Sequence, residues 1–413
     1  MFSDYNEAGA DLLGADGKLR ASFRLRGVNV TVANTIRRSI LTMTPAVGFR
    51  TEPFEKSEID VKINTTPLPN DMIVHRIGML PICADPLTFN ASLHEFVLDK
   101  ENTTKELMDV YAHDFRVFLR SAENPLEAPI EIPSAQFFPP DPITGTTCLI
   151  TRLRAQWNPT APNERIFLKA KASVSTGAEN IRYSPVTQCS YEYTRNPDPD
   201  HIRGIFNAWL LSNKKITDPS TLSEQRRGEL EREFNTMEIQ RSYFTNERGE
   251  PDDFTFYVES LGVQRIQDIV KAGIAACEAL VDKYKDLDGE VPVNVRVQQG
   301  DSRFPTIDVI FQNEGHTLGN LLETYLVENH IDGEEVPKIS YAGYKVPHPL
   351  RAEMFVRIGT SEETGANAEQ QKQSVRLVVA MGCRKMKEQF RAIQTQWAAL
   401  FAPPAQTGIA APV

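Results

Sequence analysis

Apolar and polar residues alternate from Lys18 to Leu25, with Leu19, Ala21, Phe23 and Leu25 on one side, the period-two pattern of a half-buried strand. Gly27 breaks the pattern. Asn29 then serves as the N-cap of a helix running to about Met43, with Val32, Ala33, Ile36 and Ile40 on one face. Pro45 ends that helix, because the residue before a proline avoids helical backbone. Residues 48–182 read as a separate β-rich unit. Ile59–Ile63 and Ile166–Val174 alternate as strands, and Asn70–Ile82 supplies one helical turn followed by an extended stretch. Prolines at 125, 129, 133, 139, 140 and 142 keep residues 124–145 mostly irregular. Pro185–Tyr193 is strand-like. Residues 196–250, strongly charged at Glu224–Glu233, predict an inserted loop with one exposed helix. Phe254–Val258 is a strand. After Gly262 a helix carries Ile266, Ile269, Val270, Ile274, Cys277, Leu280, Val281 and Tyr284 in one stripe.

A shorter cycle of the same kind follows. Thr306–Phe311 is a strand, Asn313–Thr317 a cap-rich turn, and Leu318, Leu321, Leu322, Tyr325 and Leu326 a helical stripe. Lys338–Tyr344 and Arg351–Ile358 are strands, and residues 361–370 a polar loop. A long helix closes the cycle, with Val375, Val378, Val379, Met386, Phe390, Ile393, Trp397 and Leu400 recurring at helical spacing. Strand, capped helix, strands and long helix therefore occur twice, once interrupted by an extra unit. Each long helix has a broad apolar stripe that needs a partner, and the simplest partner is the other one. The expected fold is α+β, a self-paired pseudo-dimer. Its boundaries are 17–47 plus 183–287 (with 196–250 inserted), 48–182 as the inserted β-rich domain, and 291–400. Residues 1–16 and 401–413 are expected to be flexible tails.

Composition narrows the chemistry. With 41% hydrophobic and 24% charged residues, the chain has ordinary globular content for its 413 residues. No stretch approaches the length of a membrane span, and the first residues lack the pattern of a secretory signal. The five cysteines (Cys83, Cys148, Cys189, Cys277, Cys383) are odd in number and far apart, which points to a reducing, intracellular setting and away from a disulfide framework. Net charge is −10. From Asp288 onward there are 12 basic and 15 acidic residues, so both parts of the chain are acidic. A protein that gripped nucleic acid through its own phosphate contacts would carry a basic stripe. DNA and RNA are expected to be met only indirectly.

Four stretches stand out. Asn34-Thr35-Ile36-Arg37-Arg38-Ser39-Ile40 sets two arginines beside a buried stripe. Thr66–Ile82 packs a turn, a half-apolar helix with His75-Arg76-Ile77-Gly78 and a proline-ended strand together. His316-Thr317-Leu318-Gly319-Asn320-Leu321-Leu322 is a helix start whose glycine would let another backbone approach. Tyr341–Leu350, with Gly343, His348 and Pro349, joins a small-residue strand to a rigid turn.

Together these stretches resemble the assembly subunits of multisubunit DNA-directed RNA polymerases: the third-largest eukaryotic subunit (archaeal D, bacterial alpha) and its small partner (archaeal L). Ala33–Phe49 resembles the larger subunit's first helix and exit, Asn64–Ile82 its second-domain entrance, and Ala172–Tyr193 with Tyr183-Ser184-Pro185 the return. His316–Leu322 and Tyr341–Leu350 resemble the two signature stretches of the small subunit. The resemblance implies two alpha-subunit-like dimerisation units and no catalytic residue in this chain. Its implied partners are the largest and second-largest polymerase subunits and a small zinc-binding subunit. It implies large-subunit docking through Asn34, Arg37, Arg38, His75 and Arg76. The dimerisation core would be Ile36, Ile40, Ile274, Leu280, Leu318, Leu322, Val379 and Phe390. The small-subunit motif would comprise His316, Thr317, Gly319, Asn320, Tyr341, Gly343, His348 and Pro349.

Two departures matter. Cellular relatives keep the halves on separate chains, and their fusion is similar to what large cytoplasmic DNA viruses have, so a virion and infected-host cytoplasm or nucleus is the expected setting. Many relatives also hold zinc or an iron–sulfur centre in the second domain. Here only Cys83 and Cys148 fall in that region, and a thiolate site needs four close ligands. No metal and no cofactor are expected. The competing reading is a stand-alone enzyme in residues 48–182, drawing on His75, His94 and His113 with Asp71, Asp85, Asp109 and Asp114. No HExxH or comparable spacing supports it.

Overall fold

The first alternating stretch is a strand, and the chain that precedes it is its neighbour. In the computed structural model, which describes residues 1–11, 17–122, 124, 127–156, 160, 162–300, 305–360 and 368–402, β1 (Phe2–Asp11) pairs antiparallel with β2 (Lys18–Arg26). Asn29 then caps α1 (Val30–Thr42), its side-chain oxygen accepting from the Val32 amide at 2.9 Å. β3 (Pro45–Gly48) leads out to the inserted domain. That domain holds β4 (Ile59–Asn64), α2 (Asn70–Gly78), β5 (His94–Asn102), β6 (Met108–Tyr111), β7 (Arg116–Leu119), β8 (Ile130–Ile132), β9 (Leu149–Leu153) and β10 (Glu164–Ala170). Its five-stranded sheet runs β4-β10-β5-β7-β8, with β6 and β9 as a separate pair. A private core of Phe49, Ile73, Ile77, Phe96, Phe115, Ile150 and Leu168 fills it. The chain returns through β11 (Ser173–Thr176), which pairs with β3.

The first unit is completed by β12 (Val186–Tyr193), α3 (Pro199–Lys214), α4 (Glu224–Met237), β13 (Asp253–Ser260) and α5 (Ile266–Asp282). The second contains β14 (Val295–Gln299), β15 (Thr306–Gln312), α6 (His316–Leu326), a π-helical turn at Val327–Ile331, β16 (Ile339–Lys345), β17 (Glu353–Thr360) and α7 (Ala368–Leu400). The two antiparallel sheets have the same winding. One runs β1-β2-β13-β12 and the other β14-β15-β17-β16. In the first unit the β-rich domain fills the connection that runs directly from α6 to β16 in the second. The helices α3 and α4 likewise occupy the place of the short β16–β17 turn.

A bidentate Arg–Asp pair bridges the central strands of each sheet. Arg24 on β2 holds Asp253 on β13 through two bonds of 2.7 Å, and Arg357 on β17 holds Asp308 on β15 in the same way. Both aspartates are buried; removing Arg357 would strand the Asp308 charge, whereas Asp253 keeps a second partner in Arg26 at 2.8 Å.

Several expectations change. Residues 2–11 form an edge strand and not a flexible tail, because Phe2 and Tyr5 pack on the end of α7. Residues 196–250 hold two helices with their own core of Phe206, Trp209, Leu210, Leu230 and Phe234, and not one exposed helix. Asn70–Gly78 is a helix of nine residues, longer than the single turn expected. The edge strand β14 and the strands β5–β9 of the inserted domain come in addition to those the sequence pattern predicts. The expected tail over 403–413, residues 12–16 and the loop over 361–367 lie outside the described residues.

Candidate functional site

The two units meet along a seam made by two antiparallel helix pairs. Ile36, Ile40, Ile274, Leu280, Leu318, Leu322, Val379 and Phe390 all belong to one continuous core shared by both units, and each is less than 5% exposed. At roughly 1.5–3 kcal/mol per fully buried aliphatic or aromatic side chain, their burial contributes substantially to that shared core. Glycines set how close the helices come. A Cβ on Gly273 of α5 would lie 2.6 Å from Cγ1 of Ile40 on α1, and one on Gly382 of α7 would lie 2.9 Å from the Tyr325 ring on α6. The contacts are pseudo-equivalent: each long helix receives its own unit's first helix at a glycine.

Along α5 and α7, Glu278 pairs with Arg391 at 2.6 Å, Asp282 with Lys387, and Asp288 with Arg384 at 2.6 Å. Lys387 and Lys285 hold the Asp282 carboxyl below the usual aspartate value. The helix ends cross over. Trp397 of α7 packs edge-on against Phe2 and Phe23 of the first sheet at 5.0 and 4.9 Å, while its Nε1 donates to the Gln267 carbonyl at 3.0 Å. Tyr284, just past α5, packs on Phe311 of the second sheet at 4.8 Å and donates to Glu314 at 2.9 Å. Burial, with the Glu314 charge added, pushes the Tyr284 hydroxyl pKa up. Along α1 and α6 the contacts are polar. Thr31 meets Thr324 at 2.9 Å, Arg38 Nε donates to Thr317 Oγ1 at 2.9 Å, and Asn29 donates to the Glu328 carboxylate at 3.1 Å.

The two small-unit stretches interlock. A Cβ on Gly319 would come within 2.7 Å of Cγ of Tyr344, so this glycine seats an aromatic ring and not a backbone. His316 Nδ1 lies 3.3 Å from the Tyr344 hydroxyl. Gly343 in turn leaves room for the Tyr341 side chain, whose Cζ a Cβ would approach to 2.9 Å.

Comparison with known proteins decides the family. The model of the RNA polymerase Rpb3/Rpb11 dimerisation domain matches residues 22–283, more than half the chain, and a second model of the same description matches residues 306–396. The chain belongs to the RNA polymerase Rpb3/Rpb11 dimerisation-domain family. It is similar to DNA-directed RNA polymerase II subunit RPB3 of Schizosaccharomyces pombe, 23% identical over 306 residues that cover 68% of this chain and 88% of that one. It is also similar to DNA-directed RNA polymerase subunit Rpo3 of Methanopyrus kandleri, 24% identical over 64% of this chain and 90% of that one. A third relative is the human DNA-directed RNA polymerases I and III subunit RPAC1, 23% identical over 63% of this chain and 80% of that one. Each half of the pseudo-dimer is thus a family domain in its own right.

The structure separates the residues expected to dock large subunits. Arg37 is half-buried and donates to Asn34 at 3.0 Å, while its charge bears on Cys189 and Tyr191 of β12. Arg38, exposed on α1, reaches across the seam, where its Nε donates to Thr317. His75 and Arg76 are exposed on α2 of the inserted domain, where Arg76 donates to the Leu149 carbonyl at 2.7 Å. No hydrogen bond or ion pair among the described residues joins them to the α1 arginines. Asn320 reaches Thr31 at 3.4 Å, and His348 with Pro349 lies in the exposed turn before β17.

The histidines of the enzyme reading have separate partners. His94 Nδ1 meets the Asn90 carbonyl at 2.8 Å and the ring stacks on Phe89, whereas His113 Nδ1 meets Thr147 at 2.9 Å. Among the described residues no group of three or more His, Cys, Asp or Glu is placed to hold a metal ion, and no helix is long and apolar enough to cross a membrane. Cys83 and Cys148 line one cleft of about 300 Å³ with Leu80 and Phe138. Thr31, Thr324, Glu328 and the cross-over aromatics went unrecognised as seam residues. Trp397 and Tyr284 carried a signal, each as a large residue near the end of its helical stripe.

Proposed function

We propose that the chain is a non-catalytic assembly subunit of a multisubunit DNA-directed RNA polymerase, supplying in one polypeptide both halves of the dimerisation pair. The observation that carries this is the duplicated sheet order around one shared core, with a family domain on each half. A buried seam that joins two family domains offers a rigid platform for other chains. The names of the relatives, all subunits of DNA-directed RNA polymerases, support the same reading.

The finer proposal is that the largest and second-largest subunits dock on the α1 side of the seam and on the inserted domain. Asn34, Arg37, Arg38, His75 and Arg76 would make the contacts, since guanidinium groups suit bidentate pairing with carboxylates. A small zinc-binding subunit joins them. The one-chain arrangement supports a viral polymerase acting in virion and infected cell. A tag on this chain should recover DNA-templated RNA synthesis from its native source, whereas the chain stripped of its partners should polymerise nothing. Nucleotidyl transfer by the isolated chain would overturn the proposal.

A further inference from the structure

The inserted domain joins the pseudo-dimer through two crossings, and one arginine holds both. Arg182 lies in the short 3-10 turn Ile181–Tyr183 on the return crossing. Its Nη1 donates to the Phe49 carbonyl at 3.2 Å and to the Thr51 hydroxyl, both on the outgoing crossing. The same guanidinium fills the space over Gly78, the last residue of α2 in the inserted domain. A Cβ there would collide with Nη1 and come within 2.7 Å of Cγ2 of Thr51. Gly78 does not occupy the left-handed region. Its missing side chain is therefore a matter of space and not of backbone conformation. The Arg182 charge sits beside the C-terminus of α2, where a cation is favoured. Around it, Tyr183 packs on Gly48 and meets Ser173 at 3.0 Å, and Arg50 grips Glu179 at 2.8 and 3.2 Å.

We propose that Arg182, seated in the notch at Gly78, is a positioning residue that fixes the orientation of the inserted domain on the pseudo-dimer. The glycine of the His75-Arg76-Ile77-Gly78 stretch and the residue before Tyr183-Ser184-Pro185 are the two halves of one joint. A platform that presents two faces to large partners needs those faces at a set angle, and domains joined without such a lock move by default. The consequence for assembly rests on the function proposed above. The joint itself does not.

The test measures the angle directly. Spin labels are placed on the exposed Cys148 of the inserted domain and on a cysteine replacing the exposed Glu388 of α7, in a Cys83→Ser background, and the distance distribution is recorded for the full chain. The parent should give a narrow distribution. Arg182→Ala should widen it about twofold, as should Gly78→Ala, which evicts the guanidinium from the other side. Combining them should widen it no further, because one contact is lost either way. Thr51→Val, the mildest change, should widen it least. A distribution as narrow as the parent's in both single variants, or additive widening in the double, overturns the joint. Widening with undiminished recovery of polymerase would leave the joint standing and count against the assembly role.

Discussion

Trp397 offers the sharpest perturbation of the seam. It is 1% exposed, it stands on the second unit's helix, and its ring contacts Phe2 and Phe23 belong to the first unit's sheet. Replacing a buried tryptophan by alanine costs about 3–5 kcal/mol in transfer and cavity terms. Trp397→Phe keeps most of the ring contact and loses the bond to the Gln267 carbonyl, about 1 kcal/mol. These losses fall on association between units, so a chain cut between them should report them as binding. The exposed Glu290 is the place to cut, since Arg376 holds the carbonyls of Leu287, Asp288 and Gly289 just before it. The cut parent should elute as one species. In dilution measurements with a labelled fragment, Trp397→Ala should weaken the pair by roughly two to three and a half powers of ten. Trp397→Phe should weaken it about fivefold. Separation of the cut parent, or an unchanged dissociation constant for Trp397→Ala, would refute the crossed seam.

Three further outcomes are expected. Arg38→Glu should lower the melting temperature slightly, as its bond to Thr317 is lost at about 1 kcal/mol, and should abolish recovery of the large subunits. Arg37→Glu together with Arg38→Glu should fold, and normal assembly of that double variant would remove both from the docking surface. In thiol titration of the native chain, exposed Cys148 should react first and Cys83, pushed up to about 11 by burial, slowly. Cys189, Cys277 and Cys383, pushed up to about 12, should react only after unfolding. Asp282, held below its ordinary 3.8 by Lys387 and Lys285, contributes stability above that value and loses it as pH falls through the lowered one. Because its side chain is 37% exposed, the effect is at most about 1 kcal/mol. Asp282→Asn should therefore narrow the gap in melting temperature between pH 7 and pH 3, and a gap unchanged by the substitution would contradict the pairing.

Strands with one buried face were legible because burial forces alternation, as Leu19, Ala21, Phe23 and Leu25 show on β2. In the two four-stranded sheets the strands that escaped, β1 and β14, are both edges, whereas in the inserted domain the central β5 and the short β6–β9 also went unassigned. An edge strand with few buried side chains has no face to enforce a period, and Phe-Ser-Asp-Tyr-Asn-Glu-Ala-Gly-Ala-Asp reads as a tail. The α5 and α7 stripes announced a partner, and each supplies the other. The polar half of the seam was silent: nothing in the sequence pairs Thr31 with Thr324, or aims Arg38 at Thr317. The charge pattern of Glu224–Glu233 likewise hid the second insertion helix's two core residues, Leu230 and Phe234. Gly78 and Gly319 stood in recognisable motifs, yet the side chains they seat, Arg182 and Tyr344, lie elsewhere in the chain and only the fold reveals them.

The central claim is that one polypeptide replaces a pair of subunits. Native mass spectrometry of the polymerase purified through this chain measures that directly. The account predicts one copy of the chain per enzyme, bound to both large subunits, with no separate small dimerisation partner. Two copies, or one copy paired through its dimerisation surface with another Rpb3/Rpb11-type chain, would contradict it.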